Sequence, residues 1–167
     1  FNTKLAQKVL NERGNFGLLA DFTEFGSLSF KAIFMQKIEH IGIAVKDLAT
    51  SVPLFEKLLN SQCYKTEKVE TEKVNTAFFK TEETKVELLE STDPDGVVAR
   101  FIAKKGEGLH HIAFEVADIK AEMERLKKEG FILLNENPKP GADNKLVCFL
   151  HPKTTNGVLI ELCMEKR

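Results

Sequence analysis

Glu39-His40-Ile41-Gly42-Ile43-Ala44-Val45-Lys46-Asp47-Leu48 is answered later in the chain by His110-His111-Ile112-Ala113-Phe114-Glu115-Val116-Ala117-Asp118-Ile119. Both stretches alternate with the period of two that marks a strand, and both then run into an aspartate and an amphipathic helix. The first helix is expected near residues 51–60, with Thr50 or Ser51 as N-cap, Pro53 in its first turn and an apolar stripe of Val52, Phe55, Leu58 and Leu59. The second is expected near residues 119–129, with Asp118 as N-cap, a stripe of Ile119, Met123 and Leu126, and Gly130 as its stop.

Strand-like segments follow each helix, at 62–69, 74–80 and 85–90 in the first half and at 131–134, 145–150 and 157–163 in the second. The halves close on one phrase, Val86-Glu87-Leu88-Leu89 and Leu159-Ile160-Glu161-Leu162. A short helix around 97–104 and a Gly106-Glu107-Gly108 hinge join them. The plan is βαβββ written twice, with modules at about 36–92 and 107–165. The opening histidines lie 71 residues apart and the closing glutamates 74, too long a period for a solenoid. The fold class is therefore α+β, built from two paired βαβββ modules.

Upstream of this pattern the composition changes. Six of the 13 phenylalanines and none of the four histidines fall in residues 1–34. Residues 1–34 are expected to be an extension outside the working fold, with the domain over 35–167. A helix near 3–13 that packs on the domain is the other reading.

The whole chain has 167 residues, 43% hydrophobic and 29% charged, which is one ordinary globular domain with an appendage. Lys and Arg (24) balance Asp and Glu (25), so there is no basic excess to carry nucleic-acid binding. No apolar run is long enough for a membrane helix. Cys63, Cys148 and Cys163 are odd in number and widely spaced, which fits a reducing, cytoplasmic setting and three small buried hydrophobes.

Four polar residues occupy equivalent places in the two halves: His40, Glu87, His111 and Glu161. Each sits in a strand among apolar neighbours, where a charge is seldom buried unless it is paired or metal-bound. His40 shares its face with Gly42 and Ala44, and His111 with Ala113, so space is left beside each imidazole. Two halves related by a pseudo-twofold axis bring two imidazoles and two carboxylates to one point. Such a mixed N/O set suits Co²⁺, Mn²⁺, Fe²⁺ or Ni²⁺ with two positions open, and Zn²⁺ less well. Strict alternation turns His110 to the opposite face, as a structural or supporting residue. His151, before Pro152, is either a turn histidine or part of a substrate loop.

Taken together, these residues resemble the vicinal oxygen chelate (glyoxalase I-like) superfamily. Within it, His40 to Val45, Lys85 to Leu89, Gly108 to Ala113, Phe149 to Lys153 and Gly157 to Leu162 look like the methylmalonyl-CoA epimerase family. The resemblance covers about residues 36–165. It implies a curved mixed sheet, a half-barrel around a metal site, with His40, Glu87, His111 and Glu161 as ligands and Co²⁺ as the first choice of metal. It implies methylmalonyl-CoA as substrate, a homodimer, and epimerisation of the (2R) and (2S) forms by 1,1-proton transfer at C2 through an enolate. Glu161 is the expected base, with Glu87 or a water molecule serving the other face. Some bacterial members carry a further acid on the strand corresponding to 74–78, and none stands there in this chain. Lys139, Lys145 and Lys153 are candidates for contacts with the CoA tail. A glyoxalase I-type lactoylglutathione lyase is the first alternative. A non-catalytic small-molecule-binding protein of the same fold is the second, although such proteins commonly lack the complete ligand set.

Overall fold

The structure, a computed structural model, describes residues 35–166. The expectation for residues 1–34 lies outside the described residues. Chain order runs β1 (Met35–Ala44), α1 (Leu48–Leu59), β2 (Lys65–Val69), β3 (Val74–Lys80), β4 (Lys85–Ser91) and α2 (Val97–Lys105). The second module follows as β5 (Gly108–Val116), α3 (Ile119–Lys128), β6 (Lys139–Pro140), β7 (Lys145–Leu150) and β8 (Ile160–Glu165). The eight strands form one mixed sheet in the order β2-β3-β4-β1-β5-β8-β7-β6. That order reads the same from either edge once β1 is equated with β5, β4 with β8, β3 with β7 and β2 with β6. β1 pairs parallel with β4, β5 pairs parallel with β8, and the modules join through antiparallel β1 and β5. The two paired βαβββ modules expected from the sequence are the architecture found.

Strand alternation divides the residues between two faces. Leu88, Phe79 and Val45 turn outward, where α1 covers them with Val52 and Phe55. Leu162, Cys148 and Leu150 do the same under Ile119, Met123 and Leu126 of α3. Each such side chain, fully buried, contributes roughly 1.5–3 kcal/mol of apolar transfer. Their neighbours in sequence, Phe78, Glu87, Phe149 and Glu161, therefore point to the inner, concave face. α2 packs Val98 against Ala44, Val69, Val74 and Leu89 at one end of that face.

Two local expectations are corrected. Helix α1 begins earlier than predicted: Asp47 is its N-cap and accepts from the Ala49 and Thr50 amides, which leaves Pro53 inside the helix. Asp118 caps α3 in the same way, so the repeat itself carried the signal. Segment 131–134 makes only an isolated bridge, Leu133 to Leu150, and the edge strand is the two-residue β6 instead. No helix among the described residues is long and apolar enough to cross a membrane.

Candidate metal centre

Register places the four singled-out residues. Gly42 of β1 lies between Glu87 of β4 and His111 of β5, while Ala113 of β5 lies between His40 and Glu161. Each imidazole thus stands over a small residue of the partner module's central strand. The fit at Gly42 is close: a β-carbon there would lie 2.2 Å from the His111 ring, so only glycine leaves room.

All four side chains converge. The Nε2 atoms of His40 and His111 are 2.9 Å apart. Glu87 Oε2 lies 3.2 Å from His40 Nε2 and 3.7 Å from His111 Nε2. Glu161 Oε2 lies 3.9 Å and 3.3 Å from the same two atoms. All four residues are buried. His40, His111 and Glu161 each offer a donor atom within 4.8 Å of the others, close enough to hold one cation.

Both histidines are preceded by a β-bulge. Ile38 faces Phe114 and His40 faces Ala113, so Glu39 is an extra residue on β1. Gly42 faces His111 and Ile43 faces Leu109, so His110 is an extra residue on β5. A bulge interrupts alternation and re-aims a side chain. Glu39 and His110 consequently line the same cavity as the four converging residues, and the expectation that His110 faces the other way is corrected. Glu39 Oε2 accepts from His40 Nδ1 at 2.6 Å, and His110 Nδ1 lies 3.0 Å from His111 Nδ1. A carboxylate only accepts, so His40 carries a hydrogen on Nδ1 and turns Nε2 to the centre, where that nitrogen can face a cation once its own proton has left. The same arrangement follows for His111 when His110 Nδ1 accepts. Sequence reasoning gave Glu39 no role. The signal was present, because a polar residue precedes each histidine where alternation calls for an apolar one.

The electrostatics of the cluster call for a cation. Burial opposes charge on His40, but the carboxylates of Glu87, Glu39 and Glu161 outweigh it and hold the imidazolium up to about 10. Burial pushes the Glu161 carboxyl up to about 8 against the pull of His40, and neighbouring carboxylates add to the rise. Burial, with the charges of His40 and His110, drives His111 well below its ordinary value. Burial and Lys105 lower His110 to about 4, which keeps it a neutral acceptor. For Glu39, burial is overcome by His40 and Lys85, and the carboxyl falls to about 2. Two carboxylates and two imidazoles converge where positive charge is favoured, and the donor set is the N/O mixture that divalent transition metals take. The residues present fit such an ion.

Around the cluster lies a cavity of about 300 Å³, at the small end of ligand sites. Phe78 and Phe149, opposite Glu87 and Glu161, form its aromatic floor. No acid stands on β3; Val74, Thr76 and Phe78 are its cavity-lining residues. Lys145 is buried, out of reach of a solvent-borne phosphate, and Lys139 at the rim pairs with Glu72 at 2.5 Å. His151 Nδ1 accepts from the Lys153 amide at 3.0 Å and caps a short 3₁₀ turn, away from the cavity.

Comparison with known proteins follows the same lines. Residues 39–149 match the model of the Glyoxalase/Bleomycin resistance protein/Dioxygenase superfamily. An uncharacterized Bacillus subtilis protein, YqjC, is 39% identical over 132 residues, covering 79% of this chain and 94% of its own length. The mitochondrial methylmalonyl-CoA epimerase of Homo sapiens is 38% identical over 127 residues, 75% of this chain and 72% of that one. A solved variant of the Streptomyces coelicolor methylmalonyl-CoA epimerase, in complex with 2-nitronate-propionyl-CoA, superposes with a TM-score of 0.76. It is 35% identical and covers 79% of this chain and 96% of its own.

Proposed function

The chain belongs to the Glyoxalase/Bleomycin resistance protein/Dioxygenase superfamily, and from that premise we propose that it interconverts (2R)- and (2S)-methylmalonyl-CoA by metal-dependent 1,1-proton transfer through an enolate. The observation that carries this reading is the convergence of His40, Glu87, His111 and Glu161 on one buried point in a chain whose relatives include methylmalonyl-CoA epimerases. Those four residues are the ligand set, and Co²⁺ is the metal first expected for it, with Mn²⁺, Fe²⁺, Ni²⁺ and Zn²⁺ as competitors. Once bound, such an ion supplies Lewis acidity toward the thioester and carboxylate oxygens on either side of C2.

The chain's own residues handle the proton. Glu161 and Glu87 come from pseudo-symmetric strands on opposite sides of the centre, which suits two groups addressing opposite faces of one carbon. Glu161 takes the C2 proton from one face, and Glu87 or a water molecule returns a proton to the other. The apolar wall, Leu89, Val147 and Phe149 among it, keeps bulk water from quenching the enolate at random. The assembly this reading fits is a homodimer, the commonest closed form, which light scattering checks. The three free cysteines fit a reducing compartment such as the cytoplasm.

The test is methylmalonyl-CoA in deuterated water with purified protein. Deuterium is expected at C2, and chelator treatment is expected to stop its entry. No exchange in the metal-loaded protein would overturn the assignment.

A further inference from the structure

The pseudo-twofold axis that equates the four ligands fails in the residues beside them, and it fails each time in the same sense. Lys85 stands opposite His40 in the parallel β1/β4 ladder. Its equivalent, Leu159, stands beside His111, its carbonyl accepting from the Ile112 amide at 3.1 Å. Lys145 opens β7, and the equivalent place in β3 is Val74, because Phe149 faces Glu161 as Phe78 faces Glu87. Glu39 answers to His110 in the two bulges. At all three pairs the His40 side of the cavity carries a charge, and the His111 side carries an apolar residue or an imidazole.

The charged side is the closed side. Side-chain exposure is 15% at Lys85 and 7% at Lys145. Among residues lining the cavity, Val97 and Leu134 reach solvent, at 53% and 50% exposure. An acyl thioester bound at the cluster must send its long CoA arm out over that apolar rim, so the far end of the acyl group points to the buried lysines.

Those lysines are held but not saturated. Lys85 contacts Glu39 and lies 2.6 Å from Asp143, while Lys145 contacts Glu165 and lies 3.4 Å from Glu39. An ammonium has three donors, so each keeps one for a ligand. A carboxylate brought into a mostly apolar cavity needs such a charge-assisted partner to offset its lost hydration.

Resting on the reading of this cavity as an acyl-CoA site, we propose that Lys85 and Lys145 are its carboxylate-recognising end. They receive the carboxylate oxygen of a malonyl-type thioester that is turned away from the cluster, while the rim at Val97 and Leu134 takes the CoA arm. The pseudo-symmetric centre thereby holds its ligand in one direction, and acyl-CoAs without a second carboxylate bind weakly.

Calorimetric binding of malonyl-CoA and acetyl-CoA to the full chain tests this without turnover. The wild type is expected to prefer malonyl-CoA. Lys85→Met is expected to weaken malonyl-CoA by about 10- to 100-fold and acetyl-CoA by no more than about twofold, with Lys85→Arg recovering most of the loss. Lys85→Met leaves Glu39 to His40 and Lys145 and Asp143 to Lys65 alone, and can fail to fold. Lys145→Met, expected to act in the same direction, and the wild-type preference itself keep the assignment open to refutation. A wild type that binds both thioesters equally, or variants that weaken both equally, would overturn it. Tight malonyl-CoA binding without deuterium entry at C2 of methylmalonyl-CoA would strike the proposed reaction and leave the lysine assignment standing.

Discussion

Glu39 and His110 occupy the same place in the two modules, each an extra residue in a bulge and each bonded to Nδ1 of the cluster histidine that follows it. One is a carboxylate tied to two lysines, and the other is a neutral imidazole packed edge-on to Phe101 at 4.9 Å. Gly42 and Ala113 are likewise equivalent, yet at Gly42 the His111 ring fills the space a β-carbon would take, whereas Ala113 carries a β-carbon opposite His40. The modules therefore agree in what they present to the centre and differ in how they support it. On the function proposed above, the matching residues would give a cation a symmetric seat, and the unlike surroundings would give a substrate with two different carbonyl groups a direction.

The sharpest break of that comparison is between the two glutamates. Glu161→Gln is expected to lower C2 exchange about 10⁴-fold. Glu87→Gln is expected to cost only about 10²-fold, because the amide oxygen still binds a cation. Equal losses would make the two carboxylates interchangeable. Next is the small-residue pair. Gly42→Ala displaces the His111 ring and is expected to reduce Co²⁺ affinity roughly 100-fold in calorimetric titration, whereas Ala113→Gly leaves it within a few-fold. Glu39→Gln and His110→Phe follow, at about 10-fold each in Co²⁺ affinity, with the larger loss at Glu39.

Wild-type Co²⁺ affinity should rise with pH between about 6 and 8, since the protons on His40 and Glu161 must leave as the ion enters. His40 is raised to about 10 and Glu161 to about 8, so both are mostly protonated at the lower end of that window. A flat profile would deny that they are ligands. The smallest effects belong where the modules are alike: Asp47→Ala and Asp118→Ala each remove an N-cap and should lower the unfolding midpoint by the same few degrees.

The four converging residues were legible because each half carries its own copy, and a mid-strand glutamate or histidine repeated at equivalent positions is hard to explain singly. The two-module sheet was legible for the same reason. What alternation could not show was the bulge. One inserted residue in each strand moved Glu39 and His110 onto the cavity face, and the polar residue before each histidine was the local hint of an insertion that itself depends on the opposite strand. Pro53 misplaced the start of α1, because the rule that sets proline in a first turn yielded to the stronger cap at Asp47. Lys85 drew no attention in the sequence and Lys145 was expected at the CoA tail, since a lysine at a strand start reads as solvated until the fold buries it against Glu39.

The central claim, that the two modules build one cation site between them, is tested most directly by titrating metal-free protein with Co²⁺ while following deuterium entry at C2 of methylmalonyl-CoA. Exchange is expected to rise in proportion to bound ion and to stop rising at one Co²⁺ per chain. Full exchange in metal-free protein, or a rise that continues to a second ion per chain, would contradict it.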